Sequence, residues 1–415
     1  METATFMLNV ADARARILAI FTPVDTVNLS IAKLGGRVLA CDITAKTDFP
    51  IFDNSSVDGF ALQISDISGA LPASPCTLQV TADIRAGTYS GVPIHSGQCV
   101  RIMTGAPLPP GANAVVMVED TDFNERSKGS TAPQAVAVFK PLQPGENVRR
   151  RGDDLHAGDK VLSSGTRLRP QEVGLLAMLG LPEAPVYRLP KVALLSSGDE
   201  LLPVEAPLTP GKIHDANSFI LAALSESAGV ELIRLGVASD TETDVRSRLL
   251  RAIDEKADVI ISSAGVSMGA FDYVKSVVEA DGELDFWKVN MRPGKPLAFG
   301  KYHGIPFFGL PGNPVSAYVG FEVFVRPALE KLSGQTPRLH PSQKARLAEP
   351  VESDGRESYL RAIVTEEQGY LSARLTGHQA SGNLLSLVQA NALLIVPSGV
   401  KSLPASSEVQ IWLIE

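Results

Sequence analysis

Cysteine is scarce in this 415-residue chain, which carries only Cys41, Cys76 and Cys99. Their number is odd and none share C-x-x-C spacing, so neither a disulfide framework nor a cysteine zinc site is indicated, and a reducing compartment is expected. The six histidines form no H-x-x-x-H pair. No Cys/His neighbour relation occurs either, which weakens zinc and cysteine-nucleophile readings. Long apolar runs are missing too. No window of about 18 residues is both apolar and free of charge, and Asp12, Arg14 and Arg16 interrupt the N-terminal apolar positions where a secretory signal needs an unbroken core. A soluble cytoplasmic protein without a membrane partner is expected. Positive charge is in deficit: 38 Lys and Arg against 46 Asp and Glu give −8. Such a surface repels phosphate backbone and argues against nucleic acid as a partner.

What is present is ordinary globular composition, with 44% hydrophobic and 20% charged residues. The length implies two to four domains. The 35 glycines and 29 prolines imply frequent turns and short strands without low complexity. Ala13, Ile17, Leu18, Ile20 and Phe21 recur near helical spacing until Pro23 ends the run. A second helix is predicted over about 27–34, stopping at Gly35-Gly36. From about 48 to 145, alternating runs such as 76–82 and 135–139 among glycines and prolines read as a β-rich insertion. A strand near 161–168 then leads to Pro170 and a short buried helix ending at Gly180.

From 191 to about 332, predicted strands (192–195, 231–237, 258–262) alternate with predicted helices (218–228, 243–255, near 272–279). This is the pattern of a parallel α/β sheet covered on both faces. After Ser333, short strands at 345–347, 360–364, 371–375, 392–396 and 408–413 predict a small barrel or sandwich.

Ligands of open parallel sheets bind beyond the carboxyl ends of the strands. The loop Ser196-Ser197-Gly198-Asp199-Glu200 follows one predicted strand. It reads equally as a helix-capping serine with dipole-favouring acids or as part of a site. Ser263-Ala264-Gly265-Val266-Ser267-Met268-Gly269 follows another, with Asp272 three residues on. Small residues there let backbone amides reach an oxyanion, and Asp272 then suits a divalent cation; an ordinary tight turn is the alternative. The loop matches neither Walker nor G-x-G-x-x-G patterns.

Lys288, Arg292 and Lys295 fall within eight residues, with Pro293 and Gly294 fixing the backbone between them. Held cations suit an oxyanion better than a solvated charge run does. Leu310-Pro311-Gly312-Asn313-Pro314 is explained by turn and helix-start chemistry alone. Asp53 and Asp58 with serines between them, Thr104 beside Gly105, and Arg149–Arg151 followed by Asp153 and Asp154 are each readable as turns or surface ion pairs. Taken together, the residues predict a Mg²⁺-assisted enzyme acting on a phosphorylated or nucleotide-bearing ligand and a second anion.

These blocks, DNSSVDGFA (53–61), RIMTGAP (101–107), RRRGDD (149–154), LSSGDEL (195–201), IHDAN (213–217), SSAGVSMGAFD (262–272), RPGKP (292–296) and LPGNPVSA (310–317), occur in one order over about 50–320. In them the chain resembles the molybdopterin molybdenumtransferases, the MoeA and gephyrin E-domain family. The resemblance implies an α/β central domain of molybdopterin-binding type with a parallel sheet, set in a multidomain α+β chain with an inserted β-rich module and a C-terminal β-barrel domain. The domains it implies are 1–48 with 145–180 as an N-terminal linker and dimer domain, 49–144 inserted, 181–332 α/β, and 333–415 the barrel.

The resemblance further implies a cytoplasmic homodimer in molybdenum cofactor biosynthesis, inserting molybdate into adenylylated molybdopterin with release of AMP and use of Mg²⁺. Molybdopterin adenylyltransferase and a gephyrin-like binding scaffold are the alternatives. Other implied partners are the adenylyltransferase of the same pathway and acceptor molybdoenzymes. Asp58, Thr104, Asp154, Glu200, Asp240, Asp272, Lys288, Arg292 and Lys295 would be catalytic, the first three reaching the site from the partner subunit. Asp215 and Asn217 would contact adenylate, Gly265 and Ser267 the anion loop, and Arg361 and Ser381 an outer molybdate shell. Asp272 and Glu200 would hold metal. Two positions depart from the family pattern: Ala264 stands where a second glycine is usual, and Arg292 where many members have lysine. Arginine keeps the cation and adds planar bidentate donors. Alanine requires a compatible φ.

Overall fold

The computed structural model describes residues 7–123, 131–264, 273–337, 342–367 and 369–414. The chain divides into two compact units, Asp42–Ser163 and the combination of Met1–Cys41 with Ser164–Glu415. In the larger unit a six-stranded sheet runs in the order Glu231–Ala238, Lys191–Ser197, Val259–Ser263, Ile305–Leu310, Pro296–Tyr302, Gly282–Lys288. The first four strands pair parallel, as expected. Pro296–Tyr302 runs antiparallel to both its neighbours, because the segment 289–295 before it and the tight turn at His303-Gly304 after it each return the chain directly instead of through a crossover helix.

Alternation along each strand divides the core. Val192, Leu194, Val259, Ile261, Phe299 and Phe308 face one side, with Val10, Ala13, Ile17 and Phe21 of the helix Val10–Ile20. Ala193, Leu195, Ile260 and Phe307 face the other, against Val245, Leu249, Val274 and Val277. Each fully buried side chain of this size contributes about 1.5–3 kcal/mol relative to exposure. The same core continues into the C-terminal strands through Tyr359, Leu393 and Trp412.

Five of those strands close on themselves in the order Glu357–Glu367, Tyr370–Leu375, Ser342–Leu347, Glu408–Leu413, Ala392–Val396 and back to Glu357–Glu367. The barrel reading therefore holds. The smaller unit carries a mixed five-stranded sheet, in the order Ala114–Met117, Gly59–Leu62, Gln98–Ile102, Cys76–Ile84, Ala135–Val138. Gly59 is fixed there by close approach, since a Cβ would lie 1.8 Å from the Val116 carbonyl oxygen.

Two expectations fail. The strand expected near 161–168 is only Lys160–Leu162, paired with Ile43–Thr44, because the chain turns at Gly165 with φ 82°. Residues 27–34 form no α-helix; Thr26–Ser30 is a strand pairing antiparallel with Glu183–Tyr187, followed by a 3₁₀ turn at Ile31–Lys33. The window is short, begins with β-branched Thr26 and Val27, and finds its pairing partner some 155 residues away, information that local periodicity does not contain. The helix start read at Asn313-Pro314 is present, and the helical segment runs as Pro314–Gly320, a π turn Phe321–Val325 and Arg326–Leu332.

Helix Glu242–Asp254 begins at Thr241, whose side chain accepts from the Asp244 amide at 3.3 Å. Thr241→Ala is expected to cost about 1 kcal/mol by urea denaturation. A change within about 0.3 kcal/mol, the scatter of such measurements, would mean the cap contributes nothing.

Candidate active site

The rim at the carboxyl ends of the parallel strands is built from interlocked loops. Gly198 has φ 147°, and a Cβ there would meet the Glu200 carboxylate at 2.5 Å, so glycine lets Glu200 fold back over the strand end. The Asp240 carboxylate accepts from Ser197 Oγ and the Asp199 amide, both at 3.3 Å, while Asp199 accepts from the Asp240 amide at 3.1 Å. Lys212 Nζ donates to the Asp199 carbonyl at 2.6 Å. Two loops bearing three acids are thus held in register.

Asp215, buried, caps helix Ala216–Ser227 by accepting from the Ser218 amide. Asn217 Nδ2 donates to the Gly312 carbonyl at 2.8 Å, and its buried Oδ1 has no partner among the described residues. A buried acceptor left open in this way is where a ligand donor gains most. Ala264 lies in the left-handed region at φ 70°, and Ser262 Oγ donates to its carbonyl at 3.1 Å. Alanine therefore adopts the backbone that glycine would take, at a steric cost that its surroundings bear.

On the other side of the turn Leu310–Asn313 lies a cavity of about 350 Å³, lined by Arg292, Lys295, Asn313, Ser316, Arg356 and Ser381 among others. The Arg292-Pro293 bond is cis, and Gly294 has φ 100°, backbone that favours glycine over residues with a Cβ. The Lys295 carbonyl is fixed by the Val289 amide at 3.1 Å. Strand Met291–Arg292 pairs with Glu357 and Ser358, and the Val315 amide donates to the Ser381 carbonyl, which together dock barrel residues onto the α/β core.

Arg361 is fully buried and donates to Ser386 Oγ and the Ala380 carbonyl, both at 3.0 Å. Burial, reinforced by Arg292, pushes its guanidinium down to about 10, still charged at neutral pH. Arg356 hydrogen-bonds Asp354, which holds that carboxylate below its usual range. Its Nη1 donates to the Met291 carbonyl. Among the described residues neither Arg361 nor Lys295 has a carboxylate within 4.0 Å.

The smaller unit assembles its own cluster. Asp58 Oδ1 accepts from both the amide and the hydroxyl of Thr104, at 2.7 and 2.8 Å. Ser55 exchanges backbone bonds with Gly105 and Ala106, and Asn54 pairs with Arg149. Asp154 accepts from Arg149 at 2.6 Å, Asp53 from Arg150 Nη1 at 3.0 Å, and Asp48 from Arg151 Nε at 2.7 Å. The Ala157 amide, ahead of Arg151, holds Asp48 below its usual range.

Three separated sequence blocks therefore converge on one surface of this unit. Of the residues expected in the site, Glu200 and Asp240 share the rim, Asp215 and Asn217 flank it, and Arg292, Lys295 and Ser381 line the cavity; Arg361 is not a lining residue but lies fully buried against Ala380, which is. Lys288 pairs with Pro296 and does not line the cavity. Gly265, Ser267 and Asp272 lie outside the described residues. Arg356, Gln379, Ser386 and Asp199 were not expected as individual contributors. Arg356, just before the strand Glu357–Glu367, and Ser386, in the short helix Leu384–Val388, carry no local signal, whereas Asp199 was visible next to Glu200.

An α/β domain, a cation-lined cavity at its strand ends and a small barrel that supplies part of the cavity wall are the architecture of a molybdopterin-binding type of protein. Residues 8–180 match the MoeA N-terminal region (domain I and II), 193–331 the probable molybdopterin binding domain, and 344–414 the MoeA C-terminal region (domain IV). The chain belongs to the MoeA family, the molybdopterin molybdenumtransferases, and is a transferase of molybdenum cofactor biosynthesis. It is 38% identical to molybdopterin molybdenumtransferase 2 of Mycobacterium tuberculosis, over 93% of this chain and 94% of that protein. It is 37% identical to the Haemophilus influenzae molybdopterin molybdenumtransferase over 98% of each. The crystal structure of a molybdopterin biosynthesis MoeA protein from Pyrococcus horikoshii superposes with a TM-score of 0.82 at 30% identity, covering 99% of this chain and 100% of that one. No helix among the described residues is long and apolar enough to cross a membrane.

Proposed function

We propose that the chain inserts molybdate into adenylylated molybdopterin and releases AMP. The observation that carries this reading is the turn Leu310–Asn313. One side accepts from Asn217 and abuts Ala264 at the sheet rim; the other lines the cavity of Arg292, Lys295 and Ser381. A nucleotide-bearing pterin on the rim and a tetrahedral dianion in the cavity would meet across that turn. Holding both reactants in place converts a two-body encounter into a reaction within one complex.

Arg292, Lys295 and Arg361 would bind molybdate, with Ser381 as a hydroxyl partner; Lys288 would add positive charge nearby. Asp215 and Asn217 would hold the adenylate, with Gly265 and Ser267 in the anion loop. Fixed cations lower the cost of bringing a dianion against a pyrophosphate, since both charges already face donors that need not reorganise. Mg²⁺ fits the rim, where Glu200 stands free of ion pairing among the described residues in an acid-rich loop pair, and the ion takes one or two carboxylates with phosphate oxygens and water. Glu200 and Asp272 would hold it. When bound, it shields the charge of the pyrophosphate.

Asp58, Thr104 and Asp154 would act in the same reaction as residues supplied across a cytoplasmic homodimer. The four-domain division 1–48 with 145–180, 49–144, 181–332 and 333–415 is part of this reading.

Purified chain given adenylylated molybdopterin and Mg²⁺ is expected to release AMP only when molybdate is added, and to lose that release in EDTA. Absence of molybdate-dependent AMP overturns the reading. ATP-dependent adenylylation of molybdopterin by the pure chain would replace it with the preceding step.

A further inference from the structure

Arg361 is the largest fully buried side chain of the described residues, and every group that holds it is neutral. Its backbone is clasped by one carboxamide: Gln379 Oε1 accepts from the Arg361 amide at 2.9 Å and Gln379 Nε2 donates to the Arg361 carbonyl at 3.0 Å. The guanidinium donates from Nε to Ser386 Oγ and from Nη2 to the Ala380 carbonyl. Ser386 Oγ spends its own proton on the Asn383 carbonyl at 2.6 Å, which leaves its lone pairs facing the arginine. Segment 376–386 is therefore wrapped around a charge that it does not neutralise. The same segment supplies Gln379, Ala380 and Ser381 to the cavity wall. A buried charge without a counterion is costly, and Arg292 nearby adds like charge.

We propose, resting on the oxyanion-binding reading of this cavity, that Gln379 and Ser386 are positioning residues that keep Arg361 charged on neutral partners, so that the bound oxyanion supplies its missing countercharge. A carboxylate in place of the amide would serve as an internal counterion and compete with the ligand. A neutral clasp reserves the charge. Gln and Glu have the same shape, so Gln379→Glu keeps an acceptor for the Arg361 amide. The Arg361 carbonyl retains the Thr376 amide at 3.0 Å and the Thr376 hydroxyl at 3.3 Å as donors, and the exposed Gly377 carbonyl, which loses its 3.2 Å bond from Gln379 Nε2, can take water instead, so the fold should survive.

The test measures melting temperature and calorimetric affinity for sodium molybdate on the full chain, as wild type, Gln379→Glu and Ser386→Ala. Gln379→Glu is expected to melt several degrees higher than wild type without molybdate while binding molybdate at least tenfold more weakly, with a smaller ligand-induced rise in melting temperature. Opposite movement of stability and affinity is a result that a purely structural role for Gln379 does not give. Ser386→Ala, which leaves Nε unpaired, is expected to lower both.

Wild-type binding of molybdate with affinity unchanged within about twofold in both variants would overturn the inference and leave the oxyanion reading intact. Gln379→Glu stabilised in a protein whose wild type binds no molybdate would support the uncompensated arginine and overturn molybdate as its ligand. A Gln379→Glu protein that melts no higher than wild type overturns the inference whatever it binds.

Discussion

Lys295→Ala is expected to lower kcat/KM for molybdate-dependent AMP release by 10²–10³-fold, on the order of what removing one fixed electrostatic donor costs an enzyme. Lys295 is exposed, lines the cavity beside Arg292 and Ser381, and is carried on a backbone fixed by Gly294 at φ 100° and by the Val289 amide. It has no carboxylate within 4.0 Å among the described residues, so its charge is directed to the cavity rather than spent on a neighbour. The same exposure predicts a melting temperature close to wild type, since surface substitutions away from packed features usually stay within about 0.5 kcal/mol. Retention of more than a third of wild-type activity, a loss below roughly one kcal/mol of transition-state stabilisation, would remove Lys295 from the site.

Gly300→Ala is expected to destabilise the larger unit by about 4 kcal/mol. Gly300 pairs with Leu284 on one side and Phe307 on the other, and an added Cβ would lie 2.0 Å from the Glu283 carbonyl oxygen and 2.9 Å from the Leu284 Cα. Both obstacles are backbone, so relief requires parting two strands of the sheet rather than turning a side chain. The register between these strands is already irregular at Leu284 and Phe286, which is where glycine permits the close approach. Both tryptophans of the chain, Trp287 and Trp412, belong to this unit, so their fluorescence in urea isolates its transition from that of the smaller unit. A loss under about 1 kcal/mol would mean that the sheet edge yields freely at this point.

Where sequence reading succeeded, the determinant was local. The strands and helices of residues 191–332 were legible because alternation and helical spacing repeat over lengths that one element spans, and strands Ala392–Val396 and Glu408–Leu413 stand at the expected bounds. Residues 27–34 were misjudged because the strand Thr26–Ser30 exists through Glu183–Tyr187. Ala264 was marked as conformationally demanding from its residue type, and its φ of 70° meets that demand. Lys288 and Lys295 were grouped by spacing, and strand pairing does set Lys288 opposite Pro296, but only Lys295 lines the cavity.

The sequence by itself determined the family, the α/β and barrel elements and the cationic turn, because motif identity, periodicity and proline-glycine chemistry act over a few neighbouring residues. Tertiary structure alone decided which distant groups share a space. It brought Asp58 to Thr104 across 46 positions, set Asn217 on the Gly312 carbonyl, closed five strands into a barrel, and buried Arg361 among Gln379, Ala380 and Ser386 without a carboxylate within 4.0 Å among the described residues. Scarcity of positive charge in the whole chain did not foretell this. Charge acts over a few ångströms in a buried site, and only the fold says which charges lie that close and which of them remain unbalanced.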